Sequence, residues 1–464
     1  MPPEAYRTVL ERLYARRRFG IRPGLEVVRS LLAELGDPQR SFPAVHITGS
    51  KGKGSVAALT AAALEAHGLS VGMFTSPHLA HYAERMRVGG RPIAPAAVIA
   101  GVERVERATE ALRARGTIDR DPTFFEVTTA VAFDWFARRR VDVGVIEVGV
   151  GGRLDSTNVL DARVGVITTI ELEHTELLGA TLAAIAGEKS GILHPGMQAV
   201  VGALPPEALE VVLRTADRLG LNVWRLGREI EVGERSLGPD GQTVAVRVPG
   251  VALPPIELPL LGRFQAGNAA LAVAATVRFL AATSRPVRPE AIVAGIGRVK
   301  WPGRLERRAR RPELYFDVAH TPESARAVAE SLGEIAPLAQ PAESAILFGC
   351  LRGKNVARIL DALAPLARTI VVVPVKSERR IPPAELRVAA TGRFARVVEA
   401  PSAADGLRLA RAATGPDGLT LVTGSDYLVG ELLRPAESDE PDLSDPGSER
   451  PPGDRPVAPP GRAA

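Results

Sequence analysis

The run Val45-His46-Ile47-Thr48-Gly49-Ser50-Lys51-Gly52-Lys53-Gly54-Ser55-Val56-Ala57-Ala58-Leu59 passes from an apolar strand pattern through a glycine-rich turn into a stretch of helix formers. That order points several backbone N–H groups at one anion, because the first amides of a helix lack internal partners and the helix dipole adds positive potential there. Gly49, Gly52 and Gly54 let the backbone close on a phosphate without Cβ clashes. Lys53 has the reach for the outer phosphates, and the Ser55 hydroxyl stands where such loops place a Mg²⁺ ligand. The chain is therefore expected to handle a nucleoside triphosphate. The common P-loop has Ser or Thr directly after its lysine, whereas Gly54 intervenes here, so the loop is a variant. A glycine-rich turn with an incidental lysine is the alternative reading of this stretch taken alone.

Outward from the turn, apolar runs at 45–48, 71–74, 143–146 and 164–168 alternate with helical patterns, which predicts an α/β protein with a mainly parallel sheet. Val244, Val246 and Val248 alternate with Ala245 and Arg247 ahead of Leu253-Pro254-Pro255, the pattern of a local β-meander. Strand patterns restart near Tyr315 and recur at 345–348, 369–373 and 419–422, so a domain boundary is expected near 290–303. From about Pro435 onward Pro, Asp, Glu, Ser and Gly dominate, and such a segment cannot offset its ordering entropy. Residues 435–464 are expected to be a disordered tail.

A chain of 464 residues is long enough for two or three domains and a sizeable core, and 45% hydrophobic with 24% charged residues is ordinary globular composition. The net charge of +5 is small for this size and the arginines are scattered, so no nucleic-acid partner is inferred. Cys350 is the one cysteine, which excludes an intrachain disulfide and fits a reducing interior. No N-terminal stretch has the form of a signal peptide, and the longest apolar windows are broken by residues such as Glu65 and His67. A cytoplasmic protein without membrane contact is expected.

Three further groups carry chemistry. Glu147 ends the apolar run Val143-Gly144-Val145-Ile146, and a carboxylate at the carboxyl end of a buried parallel strand is costly unless paired or metal-bound. Metal ligation is favoured, with pairing to Arg153 as the alternative. Gly149, Gly151 and Gly152 follow, where the backbone must bend sharply or approach a ligand. His174, beyond the next strand, is a candidate neutral-imidazole ligand, or else a satisfied histidine with no such role. Lys189 lies in a helical segment among small residues; a desolvated lysine loses its proton readily and the neutral amine can take up CO₂ as a carbamate, although spacing alone does not separate it from an ordinary lysine.

The ordered set 49–55, Thr75-Ser76-Pro77-His78-Leu79, Glu84-Arg85-Met86-Arg87-Val88, Phe124-Phe125-Glu126, Glu147 to Asn158, Glu188-Lys189-Ser190-Gly191-Ile192 and Asp317-Val318-Ala319-His320 resembles the folylpolyglutamate synthase/dihydrofolate synthase family of Mur-type ligases. The resemblance runs from about residue 5 to about 434, and 147–158 is its most specific part. It implies an N-terminal P-loop-type ATPase domain over 1–298, a smaller C-terminal Rossmann-like domain over 299–434 that binds the amino acid, and a site between them. It implies a monomer that uses ATP and two Mg²⁺ ions to add glutamate to a pterin or folate carboxylate through an acyl phosphate. Under it, Gly49, Gly52, Lys53, Gly54, Ser55, Asn268, Arg304 and Asp317 contact the nucleotide, and Ser55, Glu147, His174 and carbamylated Lys189 hold the metal ions. Lys53, Lys189 and His320 take catalytic roles, and Ser76, Pro77, His78 and Phe125 flank the pterin.

The chain departs from the family pattern at Ser50-Lys51, usually Thr-Asn, at Glu173, usually Asp, at Thr321, usually Asn, and at Asp426, usually apolar. A Mur-type ligase for another carboxylate and amino acid is the alternative within the superfamily. A non-catalytic nucleotide-binding relative is the alternative outside it, and the joint presence of Lys53, Glu147, His174 and Lys189 argues against that one.

Overall fold

Strands β1 (Ala44–Thr48), β2 (Val71–Phe74), β3 (Met86–Val88), β4 (Arg91–Pro92), β5 (Val143–Glu147), β6 (Ala162–Ile167), β7 (Gln198–Val201) and β8 (Val223–Arg225) form one sheet in the order β4-β3-β2-β5-β1-β6-β7-β8. The coordinates are a computed structural model that describes residues 3–16, 20, 22–238 and 240–434; the expected tail at 435–464 lies outside the described residues. From β2 to β8 the sheet is parallel, and β3 and β4 add an antiparallel edge.

The two central strands, β1 and β5, are buried throughout, as expected for parallel strands covered on both faces. Alternation of side chains divides the cover. Val45, Ile47, Val143 and Val145 pack with helices Lys53–Ala66 and Arg263–Ala282, while Ala44 and Ile146 pack on the other face with Val102, Val131 and Phe133 of helices Pro95–Ala114 and Phe124–Arg138.

Helix Arg263–Ala282 is the longest apolar helix of this half. By length and composition it could cross a membrane, yet 83% of its apolar window is buried inside the fold. It is apolar around most of its circumference because it is enclosed by the first sheet, helix Lys53–Ala66 and the small meander. That meander is the antiparallel set β9 (Glu231–Gly238), β10 (Gly241–Arg247) and β11 (Ile256–Leu258), in the order β11-β10-β9.

A second sheet follows: β12 (Glu306–Arg310), β13 (Glu313–Phe316), β14 (Ala345–Phe348), β15 (Thr369–Val372), β16 (Arg396–Glu399) and β17 (Leu419–Thr423), ordered β12-β13-β17-β14-β15-β16 and parallel from β13 onward. Its two faces carry separate cores, one around Tyr315, Ile346 and Leu360 and one around Phe316, Leu347 and Leu428. In both sheets the residues just past the carboxyl ends of the parallel strands border one cavity, the location expected for ligands of open α/β sheets.

Candidate active site

The cavity measures about 840 Å³. One wall is the glycine turn after β1 with the loops after β2, β5 and β6; the opposite wall is Asp317 and His320 after β13, Lys354 after β14 and Asp426 after β17.

The turn is held by Thr168 and Thr169, just past the β6 end. Ser50 N–H donates to Thr169 O (2.8 Å), Lys51 N–H donates to Thr169 Oγ1 (2.8 Å), and Thr168 Oγ1 donates to Lys51 O (2.5 Å). Gly52, at φ +82°, caps helix Lys53–Ala66, and a Cβ there would lie 2.5 Å from Asn268 Oδ1. Lys53 Nζ donates to Gly49 O (2.8 Å) and Ser50 O (3.4 Å). Ser55 Oγ accepts from Gln265 Nε2 (3.3 Å), and Gln265 Oε1 accepts from Asn268 Nδ2 (2.9 Å). Gly52, Lys53, Gly54, Ser55 and Asn268 border the cavity; Gly49 does not and instead sits against Thr168 Oγ1. Gln265 was not singled out from sequence, although its position three residues before Asn268 puts both on one helix face.

Glu147 is 4% exposed, and its Oε2 accepts from Ser76 N–H (3.0 Å). Burial pushes its carboxyl above the ordinary range, against the opposing pull of Lys53, the Ser76 amide and Arg304. Arg153 pairs with Glu188 (2.8 Å) and not with Glu147, so the Glu147–Arg153 alternative is not the arrangement found. The loop beyond is bent by Gly151, at φ +72°, whose carbonyl accepts from Thr48 Oγ1 (2.6 Å), and is pinned by Asp155, whose Oδ2 accepts from Val150 N–H (2.9 Å). A Cβ on Gly149 would meet the ring of Phe125 at 2.6 Å, so the glycine makes room for that ring on the cavity wall. Ser76 and Pro77 border the cavity as well. His78 does not: it is buried, with Nε2 3.3 Å from Tyr14 Oη and Nδ1 accepting from Arg85 Nε (2.8 Å).

His174 borders the cavity, but it lies well past the β6 end, in the left-handed region at φ +46°, as the cap of the short helix Thr175–Leu178. Burial lowers its imidazole to about 4, against the opposing pull of Glu173, so the ring is neutral. Lys189, on helix Leu182–Ser190, is 2% exposed and stands just behind the cavity wall, its Nζ donating to Glu173 Oε1 (3.0 Å). Burial lowers the affinity of Lys189 for its proton, and the Glu173 charge opposes that. Glu173 is held ionised despite its burial by Lys189, Lys53 and Lys51.

Across the cavity, Asp317 accepts from Leu305 N–H and Ala319 N–H (both 2.7 Å), and burial raises it to about 6. His320 Nδ1 lies 2.8 Å from Val318 O; burial, then the charges of Lys51 and Lys354, hold the ring well below its ordinary value. Arg304 completes this wall. Thr321, in place of the usual Asn, caps helix Pro322–Ile335, its Oγ1 accepting from Ser324 N–H (3.3 Å). Lys354 and Arg379 also border the cavity and were not singled out from sequence, because nothing local marks them.

The Ser55 hydroxyl and Glu147 carboxylate are hard oxygen donors on one cavity wall, and a buried carboxylate held by a single amide is a site that favours a cation, so the pair fits Mg²⁺. At His174 and Lys189 an ammonium–carboxylate pair with Glu173 stands where ligands would be needed, so a second ion fits there only with Lys189 modified. Among the described residues no three His, Cys, Asp or Glu side chains group to hold a metal, which leaves phosphate oxygens and water to complete any coordination, as is usual for Mg²⁺.

Residues 47–276 match the Mur ligase middle domain and residues 303–426 match the Mur ligase glutamate ligase domain. The chain is 38% identical over 393 residues to the dihydrofolate synthase/folylpolyglutamate synthase of Mycobacterium tuberculosis, covering 81% of this chain and 79% of that one. It is 35% identical over 409 residues to the folylpolyglutamate synthase of Lacticaseibacillus casei, covering 87% and 92%. The solved M. tuberculosis folylpolyglutamate synthase, complexed with ADP and AMPPCP, superimposes with a TM-score of 0.85 at 35% identity over 93% of this chain and 98% of that one. With likeness of this extent in both sequence and fold, the chain belongs to the folylpolyglutamate synthase/dihydrofolate synthase family of Mur-type ligases.

Proposed function

We propose that the protein is an ATP-dependent ligase that joins L-glutamate to the carboxylate of a folate or of dihydropteroate through an acyl phosphate. The observation that carries this reading is the meeting, in one cavity, of an anion-binding turn from the first sheet with Asp317 and His320 from the second. Its support in related proteins is the ADP and AMPPCP bound by the M. tuberculosis enzyme.

A carboxylate does not condense with an amine at neutral pH, because oxide is a poor leaving group. Transfer of the γ-phosphoryl of ATP onto the substrate carboxylate converts that oxygen into part of a phosphate, a good leaving group, and releases ADP. The free amides of the turn and Lys53 would hold the phosphates, with Asn268, Arg304 and Asp317 on the rest of the nucleotide; phosphoryl transfer asks mainly for such positioning and charge stabilisation. Ser55 and Glu147 would hold one Mg²⁺, which supplies charge neutralisation at the phosphates when bound. His174 and a Lys189 carbamate would hold a second, which requires Glu173 to turn away from the modified side chain.

The amine of glutamate then attacks the acyl carbon, and phosphate departs from the tetrahedral intermediate. The amine must first lose a proton. His320 is the candidate acceptor on this wall, since with Nδ1–H donated to Val318 O its Nε2 keeps a lone pair, while the burial that keeps the ring neutral also weakens its hold on that proton. Ser76, Pro77 and Phe125 would flank the pterin at the N-terminal wall, with His78 supporting them from behind through Arg85. We place the division between the two domains at residues 298 and 299, and the working unit is a cytoplasmic monomer.

Incubation with ATP, Mg²⁺, L-glutamate and either dihydropteroate or tetrahydrofolate, followed by product mass, tests the reading. One added glutamyl unit on either substrate supports it and says which substrate is used; ADP release without any glutamylated product overturns it.

A further inference from the structure

The glycine turn carries two lysines whose surroundings differ. Lys53 spends its ammonium on the carbonyls of Gly49 and Ser50. Lys51 borders the same cavity with its side chain 27% exposed, and among the described residues its Nζ makes no hydrogen bond. Its ion partner Glu173 Oε2 is 3.9 Å away, beyond hydrogen-bond length, and Glu173 gives its other oxygen to Lys189. The backbone of Lys51 is fixed at both ends, by Thr169 Oγ1 on its N–H and by Thr168 Oγ1 on its carbonyl. A long cation with unspent donors thus rises from an immobile base.

Lys354, past the end of β14 in the second sheet, borders the same cavity. The loop that carries Lys354 is tied down: Arg352 N–H donates to Arg379 O (2.8 Å), Arg379 Nη2 donates back to Arg352 O (3.2 Å), and Arg352 pairs with Glu385 (2.7 Å). Burial lowers the affinity of Lys354 for its proton, and of the charges around it Lys51 acts most strongly in the same sense, with Asp426 opposing. Two ammonium groups lining one partly desolvated cavity repel each other, with Glu173 and Glu171 near Lys51 and Asp426 near Lys354 opposing that repulsion, and a bound anion reached by both would relieve it further.

We infer that Lys51 and Lys354 grip one anionic group from opposite walls of the cleft, either a carboxylate of the incoming glutamate or the phosphoryl group being transferred. The inference rests on the ligase reading above for the identity of these two anions. Lys51 is then a ligand-binding residue that the general form of the glycine turn does not include, and its partner is supplied only when the second domain is in place.

Steady-state kinetics of Lys51→Asn and Lys51→Arg in the full chain decide it. Truncation that removes a charge-assisted hydrogen bond should raise one Michaelis constant by about tenfold or more in Lys51→Asn. If KM for glutamate rises and KM for ATP stays within about twofold, the anion is the carboxylate; the reverse pattern assigns the phosphoryl group. Lys51→Arg keeps the charge and should retain most of the affinity. In Lys51→Asn/Lys354→Ala the two losses should be less than additive, because one bridge cannot be lost twice. Both Michaelis constants staying within about twofold of wild type in Lys51→Asn overturns the inference. So does an equal loss in Lys51→Asn and Lys51→Arg accompanied by the same fall in Tm. Calorimetric titration with AMPPCP and with L-glutamate reads the grip without turnover. A wild type that binds both and ligates neither would therefore count against the ligase reading alone, and weaker binding of one of them by Lys51→Asn would still support the grip.

Discussion

A Cβ built on Gly54 would stand 3.1 Å from Cζ2 of Trp301 and 3.4 Å from Oε2 of Glu147. The extra glycine that makes this loop a variant therefore has a steric reason: the segment entering the second domain lays its indole on the start of the helix, with Arg87 5.8 Å from the ring centre on the indole. Gly54→Ala forces the ring or the carboxylate to give way by a few tenths of an ångström. Overpacking of this kind costs about 1–3 kcal/mol. Urea unfolding should show that loss, and KM for ATP should rise; Trp301→Leu added to Gly54→Ala should restore part of both. A Gly54→Ala protein with unchanged KM and stability would mean that the close approach constrains nothing.

Lys53→Ala and Glu147→Gln should each lower product formation by about a hundredfold or more, the usual loss when a preorganised charge at the reacting phosphates is removed. Glu147→Gln keeps the side-chain shape and an oxygen for the Ser76 amide, and it removes a buried charge, so its Tm should not fall. The discriminating result is a folded, stable Glu147→Gln protein that fails to turn over; a normal rate would remove the role assigned to the carboxylate.

The parts of this molecule that were legible in the sequence are those whose causes are local. β1 and β5 read as strands because burial on both faces demands unbroken apolar runs, and the glycine turn reads as an anion site because its conformation needs glycine. Edge strands were not legible: β4 and β16 are short and mostly exposed, so Arg91 and Arg396 leave no apolar pattern. In the site, Glu147 was marked by being a charge inside an apolar run. Lys354 and Arg379 were not marked, because only the packing of the second sheet against the first brings them to the cavity. Tertiary packing also moves residues the other way: Gly49, His78 and Lys189 sit in motifs that point at the site, yet they stand behind its wall.

Lys189 stands in a position where two chemistries predict different outcomes. As the ammonium partner of Glu173 it is structural, and Lys189→Ala would remove the closest of the three cations around that carboxylate, with a loss of about 1.5–3 kcal/mol in stability. As a carbamate it is functional, and Lys189→Ala should lose activity that short carboxylates such as acetate or formate partly restore. Activity with and without added acetate, read beside Tm, separates the two. Rescue of rate without rescue of Tm supports the carbamate, and a fall in Tm with no rescue assigns Lys189 to its ion pair.

His46 sets a pH limit on the fold. It lies on β1, 1% exposed, with Nε2 2.9 Å from Thr157 Oγ1, which in turn donates to Asp155 Oδ1 (2.5 Å). Burial, and to a lesser degree the charge of His194, lowers its imidazole to about 3. The unfolded chain takes up that proton near the ordinary histidine value of about 6.5, so between those two values the unfolded state binds more protons than the folded one. The stabilisation is thus complete above about pH 6.5 and is lost as pH falls toward 3, amounting to about 2 kcal/mol by pH 5. His46→Gln should be less stable than wild type at pH 7.5 because it repacks a buried site, yet its stability should fall less steeply from pH 7.5 to pH 5. Parallel stability curves for the two proteins over that range would show that His46 is not the group that titrates.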